Sequence, residues 1–277
     1  MINLKKGTTR TILYAALTIY ALTIFYPIYL MITTSLKENK EIFTRPYSLP
    51  QSFNFDNYVQ LFKVSNYLTY FRNSILVTLT SLLIIVVLSS LISYVLAKYK
   101  FFGSRFLYFY FIAGLIVPIK LGTIGIIRIM LGLKIFDTLA ALIIVYTAMG
   151  IPFGVFVLTD FIRLIPEELS NSARMDGCSE PKIFLKIILP LLRPALAAVV
   201  IINFIPIWND FWFPLLLIRS DNARTIPIAT ALLFGQYETN FGLIFSVLAM
   251  ASLPVIIFYL VLSRQFIKGL SAGALKG

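Results

Sequence analysis

The stretch Ile165–Pro194, IPEELSNSARMDGCSEPKIFLKIILPLLRP, is the longest charge-rich interruption in the apolar second half of the chain, and it reads as two short helices broken at a glycine. Pro166 suits a first helical turn, where its missing N–H would be unpaired in any case. Glu167 and Glu168 place negative charge at the positive end of the helix dipole. Ile165, Leu169 and Ala173 recur four residues apart and are expected on one face. Gly177 supplies a left-handed stop. Ser179 is positioned to cap the second helix, where Ile183 and Ile187 make one apolar line and Phe184 and Ile188 another, with Lys182 and Lys186 on the opposite face. Pro190 and Pro194 turn the chain into the next apolar run. A compact, small-residue elbow of this kind has the shape of an insert for a partner's cleft.

Outward from the elbow the chain is apolar. Of its 277 residues 59% are hydrophobic, against about 45–50% in globular proteins, which makes it a polytopic membrane protein. It has no His and one Cys, so His-based metal sites, His triads and imidazole proton relays are excluded, and Cys178 has no internal disulfide partner. The net charge of +12 is the signature of basic loops flanking apolar spans rather than of nucleic-acid binding.

Six spans are expected. The first is 11–33, after a short basic start at 1–10 that reads as a cytoplasmic tail, with 11–277 as one transmembrane domain. It is too long for a signal-peptide core. The second, Ser74 to Ala97, carries no charge and makes about 36 Å of helix, enough to cross a bilayer. The third, near 106–129, is interrupted by Pro118, Lys120, Gly122 and Gly125. The fourth, Thr138 to Thr159, contains Gly150, Pro152 and Gly154; both are expected flexing or pore-lining points. A fifth covers about 190–218 and a sixth Phe241 to Leu262. No segment alternates as a barrel strand does. With both termini cytoplasmic, fourteen Lys and Arg fall on inner segments and nine on outer ones, with Lys120 left in a span, so the elbow faces the cytoplasm.

The outer loop 34–71 reads as a packed loop too short and polar for a domain. In the last outer loop, 219–240, the apolar middle Ile226–Phe234 either dips towards the pore, meets a delivering protein or lies on the surface. Lys120 would cost about 2.5–3.5 kcal/mol at mid-membrane, so it faces a wet pathway or a partner helix, or snorkels to the outer surface. Trp208, Asn209, Asp210 and Trp212 form the second conspicuous cluster. Rings beside an amide and a carboxylate suit sugar binding, and Trp near a membrane–water boundary equally suits anchoring.

The elbow resembles the EAA loop of binding-protein-dependent ABC importer permeases, E-A-A, three residues, G, nine residues, I-x-L-P. Asn171, Ser172 and Ala173 stand at the first three positions, followed by Gly177, Ile187, Leu189 and Pro190. Asn171 replaces the acid and Ser172 the first alanine, so a salt bridge made through that acid is not available here. WNDFWFPL resembles the W-N-D-F-x-x-P-L run of carbohydrate-type permeases, and the end of the chain is similar to the G-L-x-x-G-x-x-K-G tail of maltose-type permeases at Gly269, Leu270, Gly273, Lys276 and Gly277.

The resemblance implies an all-α, type I ABC importer permease fold in a bacterial cell membrane, forming half of the pore of a sugar importer of the raffinose or multiple-sugar kind. It implies coupling to the ATPase through Asn171, Ser172, Ala173, Asp176, Gly177, Ile187, Leu189 and Pro190, tail docking through the terminal glycines, and Trp208, Asn209, Asp210, Trp212 and Lys120 as candidate pore or substrate residues. The implied partners are a homologous second permease, an ATPase dimer, an extracytoplasmic sugar-binding protein and membrane lipid. The sequence has no G-x-x-x-x-G-K-[ST], so it is not expected to be an enzyme. No metal or cofactor is expected on this chain, ATP and Mg being bound by the ATPase. A permease for another solute such as glycerol phosphate, and a secondary transporter, are the alternatives.

Overall fold

A computed structural model describes residues 6–64, 66–236 and 240–274, and among them every regular element is a helix. In chain order these are α1 (Lys6–Ser35), α2 (Asn39–Thr44), α3 (Asp56–Val64), α4 (Tyr67–Lys98), α5 (Ser104–Ile116), α6 (Thr123–Gly132), α7 (Leu139–Arg163), α8 (Glu167–Met175), α9 (Glu180–Ile183), α10 (Leu189–Leu191), α11 (Arg193–Trp208), α12 (Trp212–Leu217), α13 (Ile226–Gln236) and α14 (Phe241–Ala274). Among the described residues four helices are long and apolar enough to cross a membrane, and six when each of two bent pairs is one span.

The spans differ from expectation in instructive ways. The first helix starts at Lys6, inside the basic start. The third is broken as Pro118 suggested: α5 and Ile119–Gly132 meet at 88°. The fourth is not broken. α7 runs through Pro152 without interruption, and Gly150 and Gly154 serve close packing instead. A Cβ on Gly150 would fall within 2.7 Å of Ile85 and Asn203 side-chain atoms, and one on Gly154 within 2.6 Å of Ser89. Glycines four apart thus let α7 approach α4 and α11 closely, as small residues do between membrane helices. The fifth run is two helices, α11 and α12, divided at Asn209 and Asp210.

The chain packs as two compact units. The first holds residues 1–67 and 229–253. Its loop after α1 is packed, as expected, and carries two short helices, α2 and α3. Lys37 is fully buried because its Nζ donates to the Arg45 and Pro46 carbonyls at 2.9 and 3.2 Å, partners that offset the cost of removing an ammonium from water. Asn57 Nδ2 donates to the carbonyls of Ser35 and Lys37, both at 3.0 Å.

The second unit holds residues 68–228 and 254–277. α7 lies at its centre: Ala141, Leu142, Val155, Leu158 and Ile162 are fully buried, and it packs on α5, α11 and α12. The elbow and the α11–α12 bend both belong to this unit.

Candidate functional site

The elbow is built as its residues suggested, with corrections. α8 begins at Glu167 with Pro166 at the cap, one residue outside the expected helical turn. It ends in a paired-hydrogen-bond glycine stop: Gly177 N–H donates to the Arg174 carbonyl and Cys178 N–H to the Ala173 carbonyl, each at 2.9 Å. Gly177 has φ +75°, where a Cβ is disfavoured and glycine is not. Ser179 stands at the start of α9 with extended backbone but makes no side-chain capping bond. Leu169 does not join the inner face, being 46% exposed; Ser170 and Ala173 are buried in its place.

Beyond α9 the helix widens. Phe184–Ile188 is a π-helical turn, so Ile183 and Ile188, five residues apart, are both fully buried. They join Tyr94, Ile162, Ala173, Phe184 and Leu192 in one apolar cluster, with Ile187 and Leu189 packed against it. Each fully buried aliphatic side chain contributes about 1.5–3 kcal/mol, so the I-x-L-P end of the motif fixes the elbow to the bundle. Lys182 and Lys186 are exposed as expected. The chain then bends by 73° into α11. The open face of the elbow carries Asn171, Ser172, Asp176 and two bare apolar side chains, Leu169 and Met175, the latter 89% exposed.

A polar chain that no local pattern of residues signals crosses the elbow. Arg174 donates from Nη1 to Asn171 Oδ1 at 2.7 Å and from Nε to Glu180 Oε1 at 2.6 Å. The Tyr94 hydroxyl, from α4, donates to Glu180 Oε2 at 2.8 Å. Asn171, at the position of the resembled acid, is thus held by its own chain. Glu180 supplies the carboxylate, and its pKa is pushed down to about 2 by the Arg174 guanidinium and then by the Tyr94 and Tyr99 hydroxyls. α4 makes a second tie at its end, where Lys98 Nζ donates to the Ile165 carbonyl at 2.9 Å.

The WNDFW cluster separates into two parts. Trp208 is 3% exposed, stacked on Phe204 at 6.0 Å and edge-on to Phe71 at 6.1 Å. Asn209 Nδ2 donates back to the Ile205 carbonyl at 3.0 Å. Asp210 accepts from the Tyr146 hydroxyl at 2.9 Å and from the N–H groups of Phe213 at 3.0 Å and Trp212 at 3.3 Å. These three residues hold the bend that divides α11 from α12. Trp212 and Lys120 are exposed and lie together: the Lys120 ammonium sits 5.8 Å from the Trp212 ring centre, while the indole N–H donates to Thr123 Oγ1 at 3.1 Å. The break at Pro118 is what brings Lys120 over α12.

Of the tail positions, Gly269, Leu270 and Gly273 lie in α14, whose backbone is helical to Ala274. Lys276 and Gly277 lie outside the described residues. No group of three or more His, Cys, Asp or Glu residues among the described residues could hold a metal.

Comparisons with known proteins agree with this architecture. The chain is 33% identical over 261 residues to the arabinooligosaccharides transport system permease protein AraQ of Bacillus subtilis, covering 93% of this chain and 92% of that protein. It is 32% identical over 254 residues to the melibiose/raffinose/stachyose import permease protein MelC of the same organism, covering 91% and 92%. A chain in the crystal structure of a bacterial ABC transporter that imports the acidic polysaccharide alginate has the same fold, with a TM-score of 0.80 over 96% of this chain and 99% of that one at 23% identity. Residues 89–271, which take in the C-terminal end of α4, the elbow and the WNDFW bend, match the model of the binding-protein-dependent transport system inner membrane components, and the chain belongs to that family of inner-membrane transport permeases.

Proposed function

We propose that this chain forms half of the translocation pore of an ATP-driven importer of oligosaccharides. A homologous second permease completes the pore, a pair of ATPase subunits binds ATP and Mg, and an extracytoplasmic sugar-binding protein delivers the substrate. The sugar class is supported by the relatives named for arabinooligosaccharides and for melibiose, raffinose and stachyose. The assembly with a delivering protein is supported by a structural neighbour, similar in fold, described in complex with an alginate-loaded periplasmic protein.

The observation that carries the reading is the elbow. It offers an open face of small, polar and bare apolar side chains on a base fixed by four fully buried residues, Ile162, Ile183, Ile188 and Leu192. Rigid below and open above, it is suited to be moved as a body by a motor seated on Asn171, Ser172, Asp176 and Gly177, with Ala173 packed into the base beneath them. Both ends of the chain, and the elbow, are then cytoplasmic, in keeping with the Lys and Arg distribution. Closure and opening of the ATPases would rock the attached helices between inward- and outward-open states. At the far end of α11, Trp212 and Lys120 are the residues best placed to meet a sugar, by ring stacking and hydrogen bonding.

The test is reconstitution. The chain, copurified with its neighbours and placed in vesicles, should take up radiolabelled raffinose or arabinotriose only with ATP on the elbow side and the binding protein on the other. Uptake by this chain alone, driven by an ion gradient, would overturn the proposal.

A further inference from the structure

Among the described helices long enough to cross a membrane, α4 is the one without a proline. It has 32 residues, about 48 Å at 1.5 Å per residue, and contains neither Pro nor Gly, whereas α1, α7 and α14 each contain a proline. Its two ends are fastened to segments far away in sequence. Near its C-terminal end the Tyr94 hydroxyl holds Glu180 at 2.8 Å and Lys98 holds the Ile165 carbonyl at 2.9 Å, so both arms of the elbow are tied to it.

Near its N-terminal end the Tyr70 hydroxyl donates to Asp221 Oδ1 at 2.8 Å. Asn73 Nδ2 donates to the carbonyls of Asn222 and Arg224 at 2.8 and 2.9 Å, and Ser74 Oγ accepts from the Ile226 N–H at 2.9 Å. All four anchoring side chains with aromatic, amide or hydroxyl groups, Tyr70, Asn73, Ser74 and Tyr94, are at most 6% exposed. Buried bonds of this kind are costly to leave unmade, so each end moves with its segment. In the middle, Ile85 and Ser89 lie against the two glycines of α7, which leaves the rod little room to bow.

We propose that α4 is a strut between the elbow and the loop 219–226 on the opposite side of the membrane, with Tyr94 and Tyr70 as its positioning residues. This rests on the elbow being the motor's seat. A displacement of the elbow then reaches the far loop through α4 directly, and not only through α7 and α11, the helices that flank the elbow in sequence. The loop so moved leads into α13, so the strut sets the far face of the permease in step with the nucleotide state.

The experiment uses the whole assembly in vesicles, with Cys178→Ser removing the one native thiol and Asn222→Cys placing a reporter on an exposed side chain whose backbone carbonyl keeps its bond to Asn73. Labelling by a thiol reagent is timed with and without ATP and vanadate. Trapping should change the labelling rate in this background. Tyr94→Phe, which keeps the ring against Phe184, and Tyr70→Phe should each shrink that change about fivefold or more, a typical coupling between sites, while ATP hydrolysis continues. Combining them should do little more than either alone. Tyr146→Phe removes a like tyrosine–carboxylate bond away from α4 and should leave the response intact. A normal response in Tyr94→Phe, or an equal loss in Tyr146→Phe, overturns the strut. So does an unresponsive reporter in an assembly that hydrolyses ATP, whereas an assembly without any ATPase refutes the functional reading beneath it.

Discussion

Two bends in the same unit are each pinned by a tyrosine donating to a carboxylate from another helix: Tyr94 to Glu180 at the elbow and Tyr146 to Asp210 at the WNDFW turn. Their other acceptor positions separate them. Asp210 spends its oxygens on the N–H groups of Trp212 and Phe213, its own next turn, and so closes a local cap. Glu180 spends its second oxygen on Arg174, which reaches Asn171 on α8, and so links three elements. The same bond type closes a local corner in one place and joins three elements in the other. A conspicuous motif is therefore a poor guide to which residues tie elements together.

Breaking the corner should have the largest effect. Asp210→Ala strands the Tyr146 hydroxyl, which is 3% exposed, and two cap donors. At about 1–3 kcal/mol for an orphaned buried group and about 1 for a cap, thermal unfolding in detergent should show a loss of about 2–4 kcal/mol. Import should fall only as the folded amount falls. At the joint the reverse is expected. At Gly177 a Cβ meets no atom within 4 Å, so the main cost of Gly177→Leu is its left-handed backbone, about 1–2 kcal/mol. ATP-driven import should drop severalfold with assembly retained, and Gly177→Asn, which tolerates that conformation, should keep more of it.

A smaller change separates the exposed pair from the corner. Trp212→Phe loses the indole bond to Thr123 and weakens the contact with Lys120. If these residues meet sugar, the KM for import should rise severalfold with unfolding unchanged. The smallest effect concerns pH. Glu180 has its carboxyl lowered from 4.5 to about 2, so its tie is fully present above about pH 4.5 and is lost as pH falls towards 2. The stability difference between the native chain and Glu180→Gln should stay level from pH 8 to 5 and shrink only below that.

Much of the elbow was legible because its signals are local. A glycine at a left-handed turn, acids after a proline, and lysines opposite isoleucines each report on their own few residues. The π turn at Phe184–Ile188 was not, since its pattern differs from an α-helix by a single residue and is set by packing on Ile162 and Tyr94. Leu169 followed the right period but faces outward, which apolar spacing alone does not distinguish. Tyr94 and Glu180 are 86 residues apart, and neither is unusual where it stands. The W-N-D-F resemblance marked the right segment and left the roles open. Only the fold shows Trp208 and Asp210 turned inward and Trp212 outward, with Lys120 brought over it by the break at Pro118.

The central claim is that the elbow is the motor's handle, and cross-linking tests it most directly. Met175→Cys, at the most exposed large apolar side chain of the elbow, should form a disulfide or short bifunctional cross-link to the copurified ATPase, at a rate that changes with ATP, and should be shielded from impermeant thiol reagents added outside intact cells. Labelling of that cysteine from outside, with no cross-link to any nucleotide-binding subunit, would contradict the account.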